Sequence, residues 1–151
     1  MNNALMFSSK SDEWATPQDT FDALHAEFDF QIDLAASFEN AKLPFWFTKE
    51  WNALELEWFP AFTRGWLNPP YSRGLCAKFI AKAADERRKR FLTVMLLPAR
   101  TDTKAFHEHI YNAATWQPRE GVEIRLLKGR LKFGGCKDSA PFPSMVVVFR
   151  P

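Results

Sequence analysis

Hydrophobic residues recur along this chain at two spacings, and the changes between them mark its elements. Thr16, Pro17 and Asp19 make a helix start: a hydroxyl able to cap, a proline suited to the first turn, and an acid near the positive end of the helix dipole. Phe21, Leu24, His25 and Phe28 follow at helical spacing and predict a helix over 17–28. The period then becomes two. Phe28, Phe30, Ile32 and Leu34 alternate with Asp29, Gln31, Asp33 and Ala35, which predicts a strand ending at 33–37. Residues 38–62 have no regular period but crowd Phe45, Trp46, Phe47, Trp51, Trp58, Phe59 and Phe62 together, as core or lid.

A short strand is expected over 64–67, and an amphipathic helix over 73–89 with Leu75, Phe79, Ile80 and Ala83 on one side. The basic run at its end, 87–90, suits a helix C-terminus. The apolar run 91–97 has the length and content of a buried parallel strand. A helix is expected over about 104–114, carrying Phe106, His107, Ile110 and Ala114. The last third reads as β: 122–127, 129–135 and 143–149, with Gly134 and Gly135 turning between the arms of a hairpin-like unit.

Composition narrows the class. A chain of 151 residues, 46% hydrophobic and 15% aromatic, suits one globular domain, here 14–151 after a polar arm at 1–13. No apolar run approaches a membrane span and the start lacks a signal-peptide pattern, so a soluble protein with no membrane association is expected. Cys76 and Cys136 have neither metal-ligand spacing nor disulfide density, which implies reduced thiols in a cytoplasmic setting and argues against zinc. His107 and His109 fall on different helix faces and make no metal pair. Net charge is +2 but unevenly placed: −6 over residues 1–75 and +8 over 76–151. That asymmetry fits a polyanion-binding face, or a mixed solvated surface.

The candidate chemistry sits at Asn68-Pro69-Pro70-Tyr71, after the expected strand 64–67. Asn68 offers an amide oxygen, two prolines with fixed φ present their carbonyls on a stiff corner, and Tyr71 adds a flat aromatic face. Two acceptors and a ring could hold an exocyclic amine on a planar base, such as a flipped adenine. A proline-rich turn after a strand is the plain alternative. The motif resembles that of the Asn/Asp-Pro-Pro-Tyr amino-methyltransferases. From Trp14 to Phe149 the chain is similar to the small phage-type DNA adenine-N6-methyltransferase family, in its Thr16-Pro17 pair, its Asp33-Leu34-Ala35-Ala36 loop and its Leu97-Pro98-Ala99-Arg100-Thr101-Asp102-Thr103 run. Gly129-Arg130-Leu131-Lys132-Phe133 continues the likeness.

That resemblance implies a compact α/β, Rossmann-like fold that binds S-adenosylmethionine, its mostly parallel sheet ending in a C-terminal antiparallel hairpin. It implies methyl transfer to N6 of a flipped adenine in double-stranded DNA. By the same likeness Thr16 and Pro17 hold the donor's carboxylate at a helix N-terminus, and Asp33, Ala35 and Ala36 form the donor loop, alanines standing where generic nucleotide folds use glycine. Asn52 stands where relatives often carry an acid near the adenosine. Phe133 is the candidate second wall around the base, core packing being the alternative, and Arg73, Arg100, Arg130 and Lys132 are candidate DNA contacts. Base-specific contacts are expected from short loops within 38–62 or 134–142. Asn-Pro-Pro-Tyr also occurs in methyltransferases of glutamine amides and of RNA guanine, which usually have the glycine-rich loop absent here. A non-catalytic DNA-binding relative is the other alternative.

Overall fold

The apolar runs come together as a five-stranded sheet in a computed structural model that describes residues 14–50 and 52–151. The expected arm at 1–13, Trp51 and the side chain of Arg73 lie outside the described residues. In chain order the elements are α1 (Gln18–Phe28), β1 (Ile32–Asp33), β2 (Arg64–Leu67), α2 (Arg73–Arg87) and β3 (Leu92–Pro98). A short π-helical turn (Phe106–Ile110), β4 (Tyr111–Asn112), β5 (Gln117–Pro118), β6 (Val122–Leu126) and β7 (Ser144–Phe149) follow.

The sheet order is β1-β2-β3-β7-β6. β1, β2 and β3 pair in parallel, and β7 pairs antiparallel with both β3 and β6, so four of the five strands share one direction. The expected α/β sheet with an antiparallel C-terminal part is therefore present, although its pairings are two parallel and two antiparallel where a mostly parallel sheet is expected.

Strand periodicity sends alternate side chains to opposite layers. Trp66, Val94, Leu96, Val146 and Val148 pack with Phe21 and Leu24 of α1 on one side. Ile32, Leu67, Met95, Leu97, Val147 and Phe149 pack with Phe79, Ile80 and Ala83 of α2 and with Trp58 on the other. Near the buried corner between the layers Gly65 is required, because a Cβ there would lie 2.7 Å from Leu34 Cδ1 and 2.8 Å from the Phe91 ring. At the far edge Arg125 of β6 pairs with Glu27 of α1 and with Glu123, which also meets Arg150, clipping the helix to the sheet.

Four expected elements differ. The first strand is paired only over Ile32–Asp33: Phe28, expected in it, ends α1, which Asp29 closes in a left-handed turn (φ 52°) through its N–H to the His25 carbonyl. The helix 17–28 begins at Gln18, with Pro17 in the cap position and no side-chain cap from Thr16. The helix expected over 104–114 stops after its π turn: Arg119 takes the His107 carbonyl with its guanidinium, its own N–H takes the Ile110 carbonyl at 2.9 Å, and the chain becomes the β4–β5 pair. Finally, 129–135 is no strand. Gly129 has φ 72°, and 129–135 joins no ladder of the sheet: it meets the rest of the fold through the bridge between Ala15 and Gly134 and through apolar packing of Leu131 and buried Phe133. The turn at 134–135 exists, with Gly135 at φ 82° and the Cys136 N–H on the Phe133 carbonyl at 3.1 Å.

Candidate functional site

Parallel pairing brings the C-terminal ends of β1, β2 and β3 to one edge of the sheet, where open α/β sheets take ligands. Asp33 ends β1, Asn68 follows β2 and Pro98 ends β3. A cavity of about 640 Å³ opens beside the first two. Its wall includes Thr16, Asp33, Ala35, Ala36, Asn52, Asn68 and Pro70, with Leu75 and Phe79 of α2 forming an apolar side. The size suits a nucleoside-sized ligand.

Asn68 is tied down through both ends of its amide. Nδ2 donates to the Trp14 carbonyl and, at 3.0 Å, to Thr16 Oγ1. Oδ1 accepts from the Tyr71 hydroxyl at 2.6 Å, and that hydroxyl has a second acceptor, the Leu96 carbonyl, at 3.1 Å. From the end of β3, Arg100 Nη1 donates to the Tyr71 carbonyl at 2.5 Å and braces the diproline corner. Burial pushes the Tyr71 phenol well above its usual range, so it is a neutral donor here.

Asp33 is 3% exposed and lines the cavity. Its carboxylate accepts the N–H of Lys42 at 3.1 Å and of Ala35 at 3.3 Å. Burial raises its pKa to about 7, against the pull of those two N–H groups and the Lys42 charge. Lys42 in turn donates from Nζ to Gln18 at 2.8 Å, fastening the loop after β1 to the start of α1. A buried carboxyl with so few partners is suited to a cationic ligand.

The structure brings Thr16, Asp33, Ala35, Ala36, Asn52, Asn68 and Pro70 to one cavity; Pro17, Pro69, Tyr71 and Phe133 do not line it. Tyr71 is 2% and Phe133 1% exposed. The Tyr71 ring lies edge-on to Phe133 and Phe142, and both phenylalanines pack edge-on to Trp14. Neither face is open to a base in this state. Asn52 keeps its Oδ1 on the N–H of Leu54 at 3.1 Å. Arg130 and Lys132 are exposed on the β6–β7 connection, whereas Arg100 is committed to the corner. Sequence reading missed Trp14, Lys42 and the Leu96 carbonyl as site groups, because all three act through backbone atoms that no side-chain pattern reports. Among the described residues no three His, Cys, Asp or Glu side chains converge as a metal centre does. No helix among them is long and apolar enough to cross a membrane.

Comparison with known proteins gives the same direction. Residues 4–151 match the family described as DNA N-6-adenine-methyltransferase (Dam). A DNA N-6-adenine-methyltransferase of Escherichia phage T1 is 36% identical over 104 residues, which is 68% of this chain and 42% of that protein. One of Haemophilus phage HP1 (strain HP1c1) is 32% identical over 151 residues, 95% of this chain and 81% of that protein. The match thus spans less than half the length of the first relative and most of the second.

Proposed function

Because the chain belongs to the DNA N-6-adenine-methyltransferase family, we propose that it transfers the methyl group of S-adenosylmethionine to N6 of an adenine in double-stranded DNA. The observation that carries this reading is the continuous cavity between the Asp33 loop and Asn68. The residues present fit the donor. Buried Asp33 meets a cation, Ala35 and Ala36 let backbone approach closely, and Leu75 and Phe79 offer apolar surface to an adenosine. On this reading the layered sheet is a Rossmann-like fold using its usual ligand edge.

The chemistry that a bound donor supplies is an electrophilic methyl on a sulfonium, which leaves as a neutral thioether once the adenine nitrogen has formed the new bond. The chain's own part is to hold the amine. Asn68 Oδ1 and the Pro69 carbonyl accept its two N–H bonds, aim the nitrogen lone pair at the methyl and stabilise the positive charge that grows on the nitrogen. No strong base is required, because the alkylated nitrogen sheds its proton to solvent. Proximity contributes much of the acceleration, and the braces from Trp14, Thr16 and Arg100 provide the rigidity it needs. For a base to stack on Tyr71, the Trp14, Phe133 and Phe142 rings must part. Such stacking returns roughly 1 to 3 kcal/mol of the cost of eversion. Arg73, Arg130 and Lys132 are the proposed phosphate contacts.

The test is methyl transfer from tritiated donor to a panel of duplex DNAs. Incorporation at adenine is expected with the unaltered chain, and at least about a hundredfold less with Asn68→Ala, whose donor affinity stays within about twofold. Normal methylation by that variant rejects the assignment. A non-catalytic DNA-binding relative is the second reading, favoured by Asn52 standing in the cavity with its side-chain oxygen already bonded. Absence of calorimetric heat on donor titration is the result that selects it.

A further inference from the structure

We infer that Thr16 is a positioning residue for Asn68: its hydroxyl keeps the acceptor end of that amide turned toward the target amine. This rests on the function proposed above and departs from the expectation that Thr16 caps a helix or holds the donor's carboxylate. An asparagine amide can occupy its site in two orientations half a turn apart, exchanging an acceptor for a donor. At Asn68 the choice is made by the strap ahead of α1. The Trp14 carbonyl can only accept, so it selects Nδ2, and Thr16 Oγ1 takes the other hydrogen of the same nitrogen at 3.0 Å.

With both N–H bonds engaged, Oδ1 is left at the opposite end as the free acceptor, which is the atom the reaction needs. In the structure the Tyr71 hydroxyl holds that place at 2.6 Å. An arriving amine can displace it without stranding a buried hydroxyl, because the Leu96 carbonyl lies 3.1 Å from the same oxygen. Thr16 is 4% exposed and makes no cap to α1, so its hydroxyl is not employed at the helix start. If Thr16 is removed, one of the two bonds that fix the amide is lost, and the inverted orientation, which presents N–H groups to an N–H donor, becomes populated.

Three variants test this: Thr16→Val, which keeps the shape and removes the acceptor, Thr16→Ser, which restores it, and Thr16→Ala, which carries the same measurements should the valine chain not fold. Donor affinity is measured by calorimetry and turnover at saturating donor. The Asn68 side-chain NH2 signal is followed by NMR in the protein alone, assigned through its loss in Asn68→Ala. Expected for Thr16→Val are a fall in kcat of about tenfold, the size of one orienting hydrogen bond, donor Kd within about twofold, and a displaced Asn68 signal. Thr16→Ser returns both kcat and the signal toward the original. Donor binding that weakens while kcat and the Asn68 signal stay put overturns the inference in favour of a donor contact. If Asn68→Ala is inactive but Thr16→Val turns over normally, only this inference fails; if Asn68→Ala methylates normally, the proposed function fails with it.

Discussion

Asp33 concentrates the electrostatics of the site in one carboxyl. Its folded pKa of about 7 lies above the ordinary 3.8, so between those values the folded chain binds more protons than the unfolded one. Without donor, the contribution of Asp33 to stability is complete below pH 4 and is lost as pH rises through 7. The slope is at most about 1.4 kcal/mol per pH unit inside that window. Melting temperatures from pH 5 to 7 are expected to fall by roughly 3 °C per unit more for the unaltered chain than for Asp33→Asn, and the two series to run parallel above about pH 7. Parallel series below that pH as well would mean that the carboxyl is not buried as described. A cationic donor favours the ionised form, so its affinity is expected to climb as pH rises toward 7 and to level off above it. Calorimetric titration at pH 5.5, 6.5 and 7.5 measures that trend.

Elements differ in how far local signals could specify them. α1 and β3 were readable because their periods come from neighbours a few residues apart and their partners are the core itself. The segment 129–135 was not, since Phe133 is apolar to fill a cluster with Trp14 and Tyr71, over a hundred residues upstream in the first case, and not to face a ladder. The helix after β3 was overestimated for a related reason. The guanidinium that claims its His107 carbonyl belongs to Arg119, and no pattern within 104–114 announces it. The site shows the same division: the diproline corner and the Asp33 loop stand out as words in the sequence, while the Trp14 carbonyl and the Lys42 N–H do not. Packing makes its own prediction at β2. Gly65→Ala drives a methyl into Leu34 and Phe91, both buried, and overpacking of this kind costs about 1–3 kcal/mol. Urea unfolding should show a lower midpoint with an unchanged slope; an unshifted midpoint would mean that the layers can part at β2 without strain.

Across the whole molecule the excess of positive charge lies after residue 75, at +8 against −6 before it. Arg130 and Lys132 are exposed on the same connection whose Phe133 reaches in to the Tyr71 ring. On the proposed function these two cations would serve as phosphate contacts near the everted base. Replacing both by alanine is expected to weaken duplex binding uniformly across sequences and to make the slope of log K against log salt shallower by about 2, near 0.9 for each contact removed. Filter binding at several salt concentrations reads this directly, and an unchanged slope would put the DNA on another face.

The place of β7 has a consequence for how the chain is made. β3 and β6 precede it in sequence, yet they meet only across it, each hydrogen-bonded to one of its two sides. A growing chain on the ribosome therefore carries a three-stranded fragment with a bare β3 edge and an unpaired β6 until residues 144–149 emerge to bridge them. That interval is when nascent chains are most exposed to wrong pairings with one another, and shielding by a chaperone would matter most there.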